Sequence, residues 1–81
     1  MTASYSSRFL KQYSAAPAPV RKAFDKQASL LLENLRHPSL HAKKYREGID
    51  LWQGRVNRDW RFYFTIEAEA YHLHEIIKHP K

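Results

Sequence analysis

The sequence has no cysteine, only two glycines, and fewer acidic residues than basic ones. Without cysteine there are no disulfides and no thiolate chemistry, which suits a reducing compartment. Gly48 and Gly54 are too few for a glycine-rich phosphate loop. No serine-centred nucleophile motif is present. No apolar run approaches the roughly 18 residues that a bilayer span requires, and Met1–Ser6 lacks the basic-then-apolar layout of a secretory signal. The expectation is a cytoplasmic protein with no membrane partner.

What is there is a short, basic, aromatic chain. Its 81 residues suit one domain, 1–81, and 43% hydrophobic with 14% aromatic content is enough for a core without staples. Fourteen Lys and Arg against eight Asp and Glu give a net charge of +6, which points to a polyanionic partner.

The chain divides near Pro38. Phe9, Leu10 and Tyr13 fit a short first helix, which the Ser14–Pro19 segment ends because proline interrupts the hydrogen-bond ladder. Pro19 suits the first turn of a second helix. From there Val20, Phe24, Gln27 or Ala28, Leu31 and Leu35 recur every three or four residues as a buried stripe, widened by Leu30 and Leu32. So broad a stripe needs a sheet to cover.

After Pro38 the periodicity shortens. Expected strands are His41–Tyr45, Leu51–Val56, Trp60–Ile66 and Ala70–Ile77, with turns at Arg46–Gly48, Asn57–Asp59 and Glu67–Glu69. Short connections join antiparallel neighbours. The expected fold is therefore α+β: two N-terminal helices on one face of a C-terminal twisted antiparallel sheet of three to four strands. Alternation places Trp60, Phe62 and Phe64 toward the helices, and Arg61, Tyr63 and Thr65 on the open face. Trp52 and Val56 share one side of the preceding strand, Leu51, Gln53 and Arg55 the other. The open face is thus expected to show Arg55 and Arg61 with Tyr63 beside them, a pattern of cations and aromatic rings suited to RNA.

His72 and His74 share a strand face, but with no cysteine and with Glu75 expected on the opposite side they make no convincing zinc set, and no cofactor is implied. Phosphodiester chemistry remains. It needs a base for the ribose 2′-hydroxyl, an acid for the departing 5′-oxygen, and cations for the charged transition state. Arginine recognises phosphate by bidentate hydrogen bonds, and histidine serves as acid or base near neutral pH. Arg55, Arg58, Arg61, the Lys43–Lys44 pair and His79 are the candidates.

The run Arg36–Leu40, then Lys43-Lys44-Tyr45, Leu51-Trp52, and Arg55-Val-Asn-Arg-Asp-Trp-Arg61-Phe-Tyr-Phe64 resembles the RelE/ParE superfamily of type II toxin–antitoxin toxins. Arg8-Phe9-Leu10-Lys11 and the long amphipathic helix also match that family's start, so the resemblance covers nearly the whole chain. Asn57–Arg61 followed by aromatics is its most specific element.

For the RelE branch the resemblance implies metal-independent cleavage of messenger RNA on the ribosome, translation inhibition, and a cognate antitoxin. Arg61 matches the strand arginine that contacts the scissile phosphate, and His79 the histidine after the last strand that moves a proton. Lys43, Lys44 and Arg55 fall at basic positions that hold RNA. Thr2–Ser6 is barely long enough for the family's first strand. Two other classes stay open: a ParE-like inhibitor that binds DNA gyrase without catalysis, and a degenerate relative that only binds antitoxin or RNA.

Overall fold

The computed structural model describes residues 1–46, 48 and 50–79. In chain order the elements are β1 (Thr2–Tyr5), α1 (Ser7–Ala15), α2 (Ala18–Glu33), a 3-10 turn (Pro38–Leu40), β2 (Lys43–Arg46), β3 (Leu51–Arg55), β4 (Trp60–Glu67) and β5 (Ala70–Lys78). No helix among the described residues is long and apolar enough to cross a membrane.

Local chemistry sets the helix ends. The Ser6 hydroxyl accepts from the Phe9 amide at 3.0 Å and so caps α1. Ala16 and Pro17 then break the chain direction, and Pro19 sits in the first turn of α2, where a missing N–H costs nothing. The Arg21 guanidinium donates to the Ala16 carbonyl across this corner. Val20, Phe24, Gln27 and Leu31 form the buried stripe of α2. The stripe is narrower than expected on its C-terminal flank, where Leu32 is 41% exposed.

The sheet has five strands in the order β1-β5-β4-β3-β2. Strands β2 to β5 form the expected antiparallel meander. The expected count of three to four strands and the purely antiparallel pairing are corrected by β1, which pairs parallel to β5 from Thr2 opposite Ala70 to Tyr5 opposite Leu73. Four residues at an edge carry too little alternation to read as a strand, and their partner lies almost a chain length away. Where β1 stops, α1 takes over the exposed edge of β5. Ser6 donates its amide and its hydroxyl to the Leu73 and His74 carbonyls, both at 3.0 Å, and Gln12 Oε1 accepts from the Ile76 amide at 3.0 Å. The β5 edge is thereby closed to further strands.

Phe62 and Phe64 are fully buried beneath the helices, with Trp60 half-buried against the same core. Ring contacts run from Phe9 through Phe24 and Phe62 to Phe64 and Tyr71 at centroid spacings of 5.1 to 5.6 Å. Such tilted, edge-on and stacked pairs each add about 0.5–1.5 kcal/mol beyond their burial. Alternation fails once, on β5. A bulge leaves Tyr63 opposite Glu75 and Phe64 opposite Leu73, with His74 extra between them. Glu75 therefore lies on the same open face as His72 and His74, contrary to the strict period of two. There His72 Nδ1 is 2.7 Å from Ser4 Oγ, and His74 Nε2 is 2.9 Å from Thr65 Oγ1.

Gly54 stands directly opposite Phe62, whose ring lies over the glycine backbone. A Cβ there would fall 2.2 Å from Phe62 Cζ. Gly54→Ala should therefore cost about 1–3 kcal/mol by overpacking, whereas Gly48→Ala, with nothing within 4 Å of its Cβ position, should stay within about 0.5 kcal/mol. Urea denaturation of both variants checks this, and equal midpoints would show that the Phe62 ring does not depend on the glycine.

Candidate functional site

Cross-strand register assembles the site on the open face, at its β2–β3–β4 end. Lys43 stands opposite Gln53, Gln53 opposite Tyr63, and Arg55 opposite Arg61. Lys43, Gln53, Arg55 and Arg61, with His41, Ala42 and His79, enclose a cleft of about 390 Å³. No acidic side chain lines it among the described residues. Two arginines directly opposed on neighbouring strands repel one another, so their placement needs compensating partners.

The β3–β4 turn supplies them. The Asn57 side chain folds the turn: its Oδ1 accepts from the amides of Asp59 and Trp60, both at 2.9 Å. The turn's carbonyls then face the guanidinium groups. Arg61 Nη1 donates to the carbonyls of Asn57 at 2.7 Å, Trp60 at 2.9 Å and Arg58 at 3.3 Å. Arg55 Nε donates to the same Asn57 carbonyl at 3.4 Å. The Asp59 carbonyl accepts from the His79 amide at 2.6 Å and fixes the chain beyond β5. One short turn thus orients Arg55, Arg61 and His79 together. Among the described residues the second terminal nitrogen of Arg61 makes no hydrogen bond, and a guanidinium held on one edge loses less entropy when its other edge binds an anion.

The opposite wall is built from the 3-10 turn. Leu40 is fully buried, and His41 follows it with a left-handed backbone at φ 46°. The buried Gln27 amide donates to the Ser39 carbonyl at 2.9 Å and to the Arg55 carbonyl at 2.7 Å. Gln27 therefore joins the His41 loop to β3 through α2. Sequence reasoning missed His41 by reading it as the start of a strand. The available signal was His37-Pro-Ser-Leu40, in which proline opens a tight turn and sets the next residue at its exit.

Three expected binding residues lie elsewhere than foreseen. Tyr63 is on the open face but only 5% exposed. Its hydroxyl accepts from Gln53 Nε2 at 3.0 Å, and Tyr45 packs edge-on against its ring at 5.2 Å. Tyr63 is therefore covered, and Tyr45, 49% exposed, presents the aromatic surface instead. Lys44 points away from Lys43, onto the helix side, where its Nζ lies 3.0 Å from Asp50 Oδ1 and 5.9 Å from the Trp52 ring centroid. Arg58 is exposed at the turn and lines a neighbouring groove rather than the cleft.

No protein-family model and no curated protein matches the chain. Solved structures do match it. The YoeB/ParE toxin from Agrobacterium tumefaciens superposes with a TM-score of 0.82 at 9% identity, covering 99% of this chain and 100% of that one. YafQ from Escherichia coli gives 0.78 at 16% identity, covering 94% and 90%. The toxin–antitoxin complex RelBE of Escherichia coli gives 0.76 at 17% identity, covering 99% and 98%. The fold is that of the RelE/ParE toxins. At these identities the likeness is one of fold alone.

If the turn orients the site, Asn57→Ala should loosen it at a distance. Losing both side-chain bonds removes on the order of 1.4 kcal/mol of local stability, so amide hydrogen exchange at Trp60 and His79 should quicken roughly tenfold. Exchange at His79 as slow as in the unmodified protein would separate it from the turn.

Proposed function

We propose that this protein is the toxin of a type II toxin–antitoxin pair and an endoribonuclease that cleaves messenger RNA on the ribosome with its own side chains. The observation that carries this reading is the convergence of Lys43, Arg55, Arg61, His41 and His79 on one cleft without an acidic side chain among the described residues. The RelE/ParE fold supports the toxin class, and the RelBE complex among its structural neighbours supports an antitoxin as partner. A cytoplasmic location follows from the same reading.

In the reaction, one imidazole takes the proton of a ribose 2′-hydroxyl. The freed oxygen attacks the adjacent phosphorus, and the bond to the 5′-oxygen breaks as the second imidazole gives that oxygen a proton. The products are a 2′,3′-cyclic phosphate and a 5′-hydroxyl. His41 and His79 form the acid–base pair. Arg61, fixed by three carbonyls of the turn, holds the charge that builds on the phosphoryl oxygens. Arg55 and Lys43 keep the RNA in place, and Tyr45 offers a ring on which a base can stack.

Arg61→Ala should lower cleavage about 10²–10³-fold, and His79→Ala and His41→Ala each about 10²–10⁴-fold, with circular dichroism unchanged. A ribosome-containing messenger RNA cleavage assay reads this directly. Full activity in all three variants would end the ribonuclease reading, and inhibition of DNA supercoiling by gyrase without cleavage would move the protein to the other toxin class.

A further inference from the structure

A second groove, of about 300 Å³, runs beside the cleft between α2 and the β3–β4 turn. It shares two lining residues with the cleft, His41 and Arg55, so the two adjoin. Lys26 stands on one bank and Arg58 on the other, both exposed, with Ser39 and Asn57 between them. Lys22 lies one helical turn before Lys26 on the same exposed face of α2 and extends the positive bank. Among the described residues no acidic side chain lines this groove.

The ligand follows from what the walls offer. A peptide needs apolar anchors set in pockets. Here the apolar lining among the described residues is Ala23, which only makes room, and Val56, which is buried. A phosphodiester chain needs spaced cations, hydrogen-bond donors and a wet channel. Those are present, and they begin where the cleft ends. We propose that this groove carries the single-stranded RNA backbone out of the cleft, with Lys26 and Arg58 pairing with a phosphate that flanks the one held by Arg61. The inference rests on the ribonuclease reading and adds to it a path and an extended footprint. His41 and Arg55 stand at the junction of the two grooves, so RNA held in the outer one would fix which phosphate lies before the imidazoles.

The test uses 2′-O-methyl RNA, which lacks the attacking hydroxyl, in lengths of roughly four and roughly ten nucleotides. Binding to the full chain is measured by fluorescence anisotropy across a salt series. The longer oligomer should bind more tightly and with a steeper salt dependence. Lys26→Gln should flatten the slope for the long oligomer by about 0.7, the value for one single-strand phosphate contact, and weaken it several-fold without changing the short one. Lys26→Arg should restore both. Lys11→Gln removes the same charge from α1 and should change neither slope. Equal effects of Lys26→Gln on both lengths, or none on either, would overturn the proposal. So would a poly-glutamate peptide that displaces the long oligomer at lower concentration than unlabelled RNA does, which would make the groove a site for acidic protein. Failure of the unmodified protein to bind either length would also overturn this inference, while the ribosome-containing cleavage assay decides the ribonuclease reading separately.

Discussion

The bond between the Asn57 side chain and the amides of its own turn is the constraint on which the candidate site depends. Two arginines on opposed strands would splay apart if left to solvent. They converge because the folded turn aims the Asn57 carbonyl at both of them, and the neighbouring carbonyls at Arg61 alone. The same turn reaches the segment beyond β5 through Asp59 and draws His79 to the cleft. Partial negative charge on backbone oxygens thus balances the guanidinium groups, with no carboxylate lining the cleft among the described residues. A carboxylate in that place would compete with a bound phosphate.

The other half of the site depends on a buried polar residue in an otherwise apolar stripe. Gln27 sits where a leucine would pack more simply. Its amide instead satisfies two carbonyls on different elements and locks the 3-10 turn to β3. A buried amide with its donors used is affordable, because the penalty falls on groups left unpaired. Both walls of the cleft are therefore held by side-chain-to-backbone bonds, while the aromatic core beneath supplies the stability.

The strongest parts of this arrangement were legible in the residue order. The spacing of Val20, Phe24, Gln27 and Leu31 marks a helix face, and Phe62 and Phe64 mark the buried side of β4, because burial on one side imposes a period that sequence displays. The same rule put Arg55 and Arg61 on one open face. It gave faces but not covers, so Tyr63 passed for exposed when Gln53 and Tyr45 close over it. Treating Lys43 and Lys44 as one basic unit ignored the alternation that separates them. The bulge at His74 reversed Glu75, since one extra residue shifts a period of two and leaves no compositional trace. His41 was missed because a left-handed backbone at a residue other than glycine is set by its surroundings. The parallel strand β1 was the hardest to see, its pairing decided by residues near the far end of the sequence.

That pairing has a consequence for the order in which the molecule comes into being. During synthesis, at about 5–20 residues per second, Thr2–Tyr5 is made well before its register partners Ala70–Leu73. Until β5 is made, β1 has nothing to pair with, and α1 has no strand edge to cover. The Asn57 turn can form earlier, but the cleft gains His79 only after β5 is complete. His79 is therefore the last of the cleft's residues to be made, and it meets the Asn57 turn only once β5 is in place.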